Sequence, residues 1–409
     1  MPVVRLDVAD PQYRTDPYPI FARMRAEAPV CEIAVGRLMR FWAVTRYDDV
    51  VSLLKDERVT KNFRQVRRLD TRIMHLFGPL NAHMLNADPP DHTRLRGLVM
   101  KGFTASYVDE LRPRIEEVAE ELLDKALRRR DGTFQLVRDF AAPLPITIIT
   151  DVLGVPVEDR DRFQRWTDRL AAFDGIVSVL RAIPSGWALM RYFKRLVREH
   201  REGRFTLSHA RTGTRPDLLT ALVAAEESGD KLSPDELLAM SGLLLLAGYE
   251  TTISLISNGT LALLDHPEQM EQLRANPSLM PRAIEEFLRY DGPIVWGTPR
   301  WTTEPITIGG VNIPAHSPLA IGLGSANRDP AHFPDPDKLD VARTPNRHLA
   351  FGLGIHFCLG ANLARLESEI AFTALLRHCP HMRLAVPRSD LRWKRSIPLR
   401  GLAELPIAV

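Results

Sequence analysis

Phe351-Gly352-Leu353-Gly354-Ile355-His356-Phe357-Cys358-Leu359-Gly360 sets a single cysteine between glycines and aromatic rings. An apolar, helix-prone run, Ala361-Asn362-Leu363-Ala364-Arg365-Leu366-Glu367, follows at once. Gly354 and Gly360 let the backbone turn tightly and approach a flat ligand. Phe351 and Phe357 can shield a sulfur from water. Cys358 falls just before the expected helix N-terminus, where the dipole and free N–H groups favour a thiolate. A thiolate in a dry, hydrogen-bonded loop suits an axial ligand to iron. The competing interpretation is a buried structural thiol, the usual state of a free cysteine.

Upstream, Ser233-Pro234-Asp235-Glu236 reads as a capping box with proline at the first helical position. It opens the longest expected helix, which runs to about Asp265, where His266-Pro267 stops it. Some thirty residues span about 45 Å. Inside this apolar helix, Ala247-Gly248-Tyr249-Glu250-Thr251-Thr252 places glycine, acid and hydroxyls where each costs stability. The stretch is either a kink satisfied by threonine back-bonding or a proton-delivery groove. Glu286 and Arg289 lie i,i+3 on a helix from Pro281 to Arg289 and can pair. His92 and Arg96, just after Asp88-Pro89-Pro90-Asp91, share a helical face. They either clamp carboxylates or decorate a solvated helix start.

Together these motifs resemble the cytochromes P450. Phe-x-x-Gly-x-His-x-Cys-x-Gly is that family's haem-thiolate loop, and Phe351, Gly354, His356, Cys358 and Gly360 fill its fixed positions. The family's small-Gly-x-acid-Thr pattern falls on Ala247, Gly248, Glu250 and Thr251. Its Glu-x-x-Arg pair falls on Glu286 and Arg289, with Arg343 as the third partner. The resemblance implies that Cys358 ligates iron and that Glu250 and Thr251 are catalytic, as a proton relay. It implies that His92, Arg96, Arg300 and His356 contact haem propionates. It places Ala247, Ile294, Val295, Ile397 and Pro398 on the substrate pocket.

The implied fold is mainly α with small antiparallel β-sheets, the P450 prism, as a single domain over residues 1–409. The implied enzyme is a monooxygenase with haem b. It inserts one atom of O2 into a C–H or C=C bond of a medium-to-large apolar small molecule. NAD(P)H supplies electrons through an external ferredoxin and its reductase. The second half is most similar to bacterial soluble members that oxidise polyketides, macrolides or fatty acyl chains, which points to secondary metabolism. A peroxide-driven peroxygenase of the same fold and a non-catalytic haem sensor are the competing classes. The acid–alcohol pair argues against both. His316 departs from the family, most of whose members have glycine after the Ile-Pro-Ala turn; a different turn geometry is expected there.

Composition bounds the rest. The chain has 409 residues, 45% hydrophobic and 26% charged, with a net charge of +3. That charge is too weak to argue for nucleic acid. Three cysteines, Cys31, Cys358 and Cys379, cannot ligate a four-cysteine iron–sulfur cluster and fit a reducing compartment. The first residues lack a signal-peptide core, and the richest apolar run, Leu243 to Ala247, is too short to span a bilayer. A cytoplasmic monomer with no membrane contact is expected. Arg94, Lys101, Arg347 and Arg365 are candidate charges for an acidic redox partner.

Local patterns also predict one helix from Ala105 to Arg129, and a loop Phe173–Pro184 between helices Glu158–Ala172 and Trp187–Glu202. They predict a hairpin turn at Gly36-Arg37, an extended run Ile294–Thr298, and two closing strands joined around Pro398.

Overall fold

Ser233 begins the helix on which the other elements are laid. Its hydroxyl accepts from the Glu236 N–H at 3.2 Å, and the Glu236 carboxylate accepts from the Ser233 N–H at 2.8 Å. Both orphan donors of that helix start are thereby satisfied. The computed structural model describes residues 4–6, 10–35, 39–62, 66, 81–128, 132–171, 176–202, 217–227 and 232–409.

In chain order, β1 (Val4–Leu6) precedes α1 (Pro11–Thr15), α2 (Tyr18–Glu27), β2 (Val30–Val35), β3 (Met39–Val44), α3 (Tyr47–Lys55) and β4 (Val59–Thr60). Then come α4 (Asp91–Gly102), α5 (Ala105–Glu110), α6 (Arg112–Leu127), β5 (Thr133–Gln135), α7 (Pro143–Val152), α8 (Arg160–Ala171), α9 (Ile176–Arg201) and α10 (Leu218–Glu227). The long helix is α11 (Pro234–Asp265), followed by α12 (Pro267–Ala275) and α13 (Met280–Asp291). Strands β6 (Arg300–Thr302), β7 (Ile306–Ile308), β8 (Val311–Ile313) and β9 (Pro318–Ile321) precede α14 (Leu323–Ala326) and α15 (Ala361–His378). Strands β10 (Arg383–Leu384) and β11 (Pro406–Ala408) close the chain.

The 32 residues of α11 rise about 48 Å. Leu237, Leu245, Ile253, Ile256 and Leu261 are buried in the main core, with α7, α13 and α15 packed around them. Among the described residues α11 is the one helix long and apolar enough to cross a membrane, yet 67% of its most apolar window is buried inside the protein. Two smaller cores lie beneath the sheet and between α2 and β2. At the edge of the last, the Arg328 guanidinium sits 3.7 Å from the Tyr18 ring and 4.0 Å from the Tyr290 ring.

The fold is mainly α, as expected, but the sheets are not all antiparallel. The six-stranded sheet has the order β1-β2-β3-β9-β6-β4, with β1–β2 and β3–β9 parallel. Most of the helices lie between β3 and β9, and a connection that long lets the two strands run parallel. Strands β10, β11 and β5 form an antiparallel sheet, and β7 pairs with β8 antiparallel. Strands β2 and β3 pair antiparallel from Val30↔Val44 to Val35↔Met39, while the Gly36-Arg37 turn lies outside the described residues.

The expected helix from Ala105 to Arg129 is two helices meeting at Leu111. Pro113 cannot continue an existing helix without clashing with the preceding turn, so it starts a new one. The expected loop Phe173–Pro184 is helical from Ile176, with Pro184 inside α9; residues 172–175 lie outside the described residues. The two strands around Pro398 reduce to the isolated bridges Ile294↔Leu399 and Trp393↔Leu402. The Lys394 N–H donates 2.9 Å to the Gly401 carbonyl across the turn, and the Pro398 carbonyl at its tip accepts from the Val295 N–H at 3.0 Å, which also ties it to the segment after α13. Ile294–Thr298 accordingly forms a bridge and no strand. His316 has φ +57°, so it adopts the left-handed conformation that glycine takes without strain.

Candidate functional site

The cysteine loop is shaped by its own backbone. Gly352 and Gly354 take φ +70° and +74°, a region open to glycine and strained for other residues. The Cys358 N–H donates 2.9 Å to the Phe351 carbonyl, and the Phe357 N–H donates 3.0 Å to that of Gly354. Gly360 caps α15 at an ordinary φ of −84°, so its expected role in tight turning passes to Gly352. A Cβ on Gly360 would meet no protein atom within 4 Å, which leaves one face of the loop clear. The rings of Phe351 and Phe357 are 6.2 Å apart, but Phe357 is 39% exposed and is a weaker shield than expected.

Cys358 is exposed on that clear face, yet the protein mass behind it still penalises charge. Burial pushes its thiol up, against the Gly360 N–H and the charges of Arg96 and Arg365, which pull it down. The helix end alone therefore does not make the expected thiolate; a ligated metal ion would.

Beside the loop lies a buried cluster of basic side chains. His92 is 2% exposed, and its ring centre is 4.4 Å from that of His356. Neither ring nitrogen of His92, nor Nε2 of His356, has a hydrogen-bond partner among the described residues. Burial pushes the His356 imidazole down to about 4, and burial with the Arg96 charge pushes His92 down as well. Arg300, at the start of β6, is 7% exposed and lowered by burial to about 10. Arg96 lies close enough to act on both His92 and Cys358. The four expected propionate contacts are thus gathered in one region.

Sequence reasoning missed two members of this cluster. Lys61, directly after β4, is 2% exposed and donates to the Thr298 hydroxyl. Burial and the nearby Arg300 charge hold it well below the usual lysine range. Asp88 is the acid facing these cations. Burial opposes its charge, but the His356 imidazole at 3.9 Å, the Thr60 hydroxyl and the N–H groups of Lys61 and Asn62 hold it below the usual carboxylate range. One acid against Arg96 and Arg300 leaves an excess of positive charge before Lys61 is counted.

A haem with two carboxylates fits these residues. Orphaned buried donors, surplus buried cation, a loop face clear of protein and a cysteine on that face are its complement.

On α11 burial drops along the stretch read as a groove. Leu243, Leu244, Gly248 and Thr251 are half-buried and Ala247 is exposed, in the middle of an otherwise buried helix. The Thr251 hydroxyl donates 2.8 Å to the Ala247 carbonyl, and Thr252 donates 3.3 Å to that of Gly248. Back-bonding is therefore real here and coexists with the opening. Glu250 points elsewhere: it is 5% exposed and ion-paired with Lys394. A third group the sequence did not flag is Glu367 on α15, 1% exposed, with neither carboxylate oxygen hydrogen-bonded among the described residues. Burial raises it to about 8, against the nearby Thr252.

Glu286 and Arg289 are fully buried and joined by bonds of 2.7 and 2.8 Å. Arg343 reaches Glu286 at 3.2 Å, as expected of the third partner. Asn346 and the Asp340 N–H also donate to Glu286, while Arg289 donates to the carbonyls of Asn327, Pro336 and Lys338. Asn327 in turn accepts from the Leu349 N–H at 2.7 Å, which carries the network to the edge of the cysteine loop.

The expected pocket residues divide. Ile294, Ile397 and Pro398 are half-buried, with Ile294 bridged to Leu399 just beyond the tip, whereas Val295 is 3% exposed and packed against Gly324. Of the candidate docking charges, Arg94 is paired with Glu236 at 2.5 Å and Arg365 with Glu285 at 2.7 Å, so neither offers a bare cation. Arg347 and Lys101 are exposed.

The family model described as Cytochrome P450 matches residues 11–389. "Cytochrome P450 107B1" of Saccharopolyspora erythraea is 45% identical over 405 residues, covering 97% of this chain and 96% of that one. "Polyketide biosynthesis cytochrome P450 PksS" of Bacillus subtilis is 39% identical over 406 residues, covering 97% of each. Among solved structures, the myxobacterial cytochrome P450 CYP267B1 in complex with myristic acid has a TM-score of 0.88 and 44% identity, covering 97% of both chains.

Proposed function

This chain belongs to the cytochrome P450 family, a monooxygenase by that membership, and from it we propose an enzyme that oxidises a medium-to-large apolar molecule of secondary metabolism. The observation that carries the proposal is the set of buried, unpartnered donors and surplus cations beside Cys358. Haem, when bound, supplies the activation of dioxygen. Cys358 would hold its iron, with Phe351, Gly354 and Gly360 forming the loop around it. His92, Arg96, Arg300, His356 and Lys61 would take its two carboxylates.

One turnover adds one oxygen atom to substrate and releases the other as water. It consumes two electrons and two protons. The electrons come from NAD(P)H through a ferredoxin and its reductase. Glu250 and Thr251 deliver the protons from neighbouring faces of the same helical turn, about 100° apart: the acid faces the protein interior and the alcohol the opening by Ala247. Apolar Ile294, Ile397 and Pro398 exclude water and orient substrate. The whole chain acts as one domain, cytoplasmic and monomeric. A relative named for polyketide biosynthesis and a structural neighbour holding myristic acid support a long or macrocyclic apolar substrate.

The test is an absorption titration of the purified protein with macrolides, terpenoids, steroids and fatty acids. A Soret band that shifts to the high-spin form with one class is expected. A protein that takes up no haem under reconstitution would overturn the proposal; haem without a shift for any class would overturn the substrate assignment alone.

A further inference from the structure

Segments far apart in the sequence meet at the base of the last turn. Arg400, two residues beyond the tip at Ile397 and Pro398, is buried and engages all three of its guanidinium nitrogens. Nε donates 2.5 Å to Asp291 Oδ1 at the end of α13. One terminal nitrogen donates 2.7 Å to the Arg14 carbonyl and the other 3.0 Å to that of Thr15. These are the last two carbonyls of α1, which a helix end leaves without a partner of its own. The guanidinium also lies 3.9 Å from the Trp393 ring. The Arg400 backbone is held as well. Its N–H donates 2.8 Å to the Pro293 carbonyl. Its carbonyl accepts at 3.2 Å from Asn258 Nδ2 on α11, which donates 3.0 Å to the Asp291 carbonyl too. Next along, Gly401 lies directly against α11, where a Cβ would collide with the Ser254 hydroxyl.

A second tie holds the segment that faces the tip. Trp296, two residues after Ile294, donates 2.9 Å from Nε1 to the hydroxyl of Tyr13, again on α1, and both side chains are buried. Ile294 bridges Leu399, and the Val295 N–H donates to the Pro398 carbonyl, so tip and facing segment move as one unit. Helix α1 grips this unit twice, at Arg400 and at Trp296. Yet α1 supplies none of the residues assigned to the pocket.

We propose that α1 is a specificity element acting from outside the pocket: through the positioning residues Arg400 and Tyr13 it fixes the tip at Ile397 and Pro398 and the segment at Ile294, and so limits the bulk of ligand accepted. The proposal rests on the assignment of Ile397 and Pro398 to the substrate pocket. A ligand too large for the space enters only by displacing tip and facing segment together, and that displacement breaks the bonds to α1. Loosening the grip therefore favours large ligands over small ones.

The test compares imidazole with clotrimazole in absorption titrations of the haem-loaded protein. Both ligate haem iron through an azole nitrogen, and they differ in bulk, so the ratio of their affinities reads the space available. Arg400→Lys keeps a cation for Asp291 but cannot span two carbonyls. Tyr13→Phe removes only the partner of Trp296. In each, clotrimazole gains about threefold to tenfold over imidazole, the worth of one net hydrogen bond. Tyr18→Phe removes another bond of the same cluster, 2.8 Å to Asp291, and leaves both grips of α1 in place, so its ratio stays at the wild-type value. An unmoved ratio in either gripping variant, or an equal gain in Tyr18→Phe, overturns the proposal; a merely structural role lowers the urea midpoint in all three variants without separating them. Should Arg400→Lys not fold, Tyr13→Phe decides alone. Ile397→Ala, at the tip itself, must also move the ratio. If it does not, the pocket assignment fails and the proposal with it; if it does while the gripping variants do not, the proposal alone fails.

Discussion

The two buried charge clusters on either side of the cysteine loop are opposites. Around Glu286, Arg289 and Arg343 the acid accepts from several donors, and Arg289 spends its remaining N–H groups on backbone carbonyls. Around Lys61, His92, Arg300 and His356 the donors outnumber their acceptors, and three imidazole nitrogens bond to nothing among the described residues. Desolvating a charge costs several kcal/mol unless its hydrogen bonds are complete. The first cluster meets that condition within the chain and is closed. The second meets it only with an anion from outside, so its incompleteness is the mark of a binding site.

Glu286→Ala attacks the closed cluster and should have the largest effect. It leaves Arg289 buried without its partner and costs about 3–5 kcal/mol, read as a lower urea midpoint of the haem-loaded protein. A loss below about 1 kcal/mol would mean the network is no more than a surface pair.

Glu367 offers an intermediate case, a buried acid that stays protonated in place of finding a partner. Its folded value of about 8 lies above that of an unfolded glutamate, so the folded state binds the extra proton. Its contribution is fully present below about pH 4.3 and is lost as pH rises to about 8, at up to about 1.4 kcal/mol per pH unit. Glu367→Gln should flatten that fall in a series of unfolding curves; an unchanged slope would return the titration to another group.

Lys61→Met probes the open cluster. It should weaken haem retention by about tenfold, measured as faster haem transfer to apomyoglobin, and leave the haem-free chain no less stable. Equal losses in both measurements would make Lys61 part of the scaffold and erase the contrast with Glu286. The smallest effect belongs to the exposed pair Arg388–Asp265, where Arg388→Ala should cost under about 1 kcal/mol despite contacts of 2.7 to 3.0 Å.

The closed cluster was legible because its residues recur at helical spacing or in a recognised motif, and α11 because its capping box and stop signal are local. Lys61 carries no such mark: a lysine after two β-branched residues says nothing of Arg300 in a strand far along the chain. Lys394 and Glu367 are hidden for the same reason, since their partners are set by how α11, α15 and the last turn pack. The split at Leu111 could have been seen in Pro113, which outweighs an amphipathic pattern. The parallel pairings β1–β2 and β3–β9 could not, because strand direction follows from the whole path of the chain.

Gly401 sets a boundary for any test of whether the last turn governs what this protein accepts. Its missing side chain lets the last turn lie flat against Ser254, where even a methyl group would collide with the hydroxyl at 2.2 Å and the Cβ at 2.9 Å. Libraries that vary Ile397 and Pro398 can reshape the tip while the turn remains docked. A library that includes position 401 would lift the turn from the helix, and its survivors would report on repair of the scaffold rather than on selectivity.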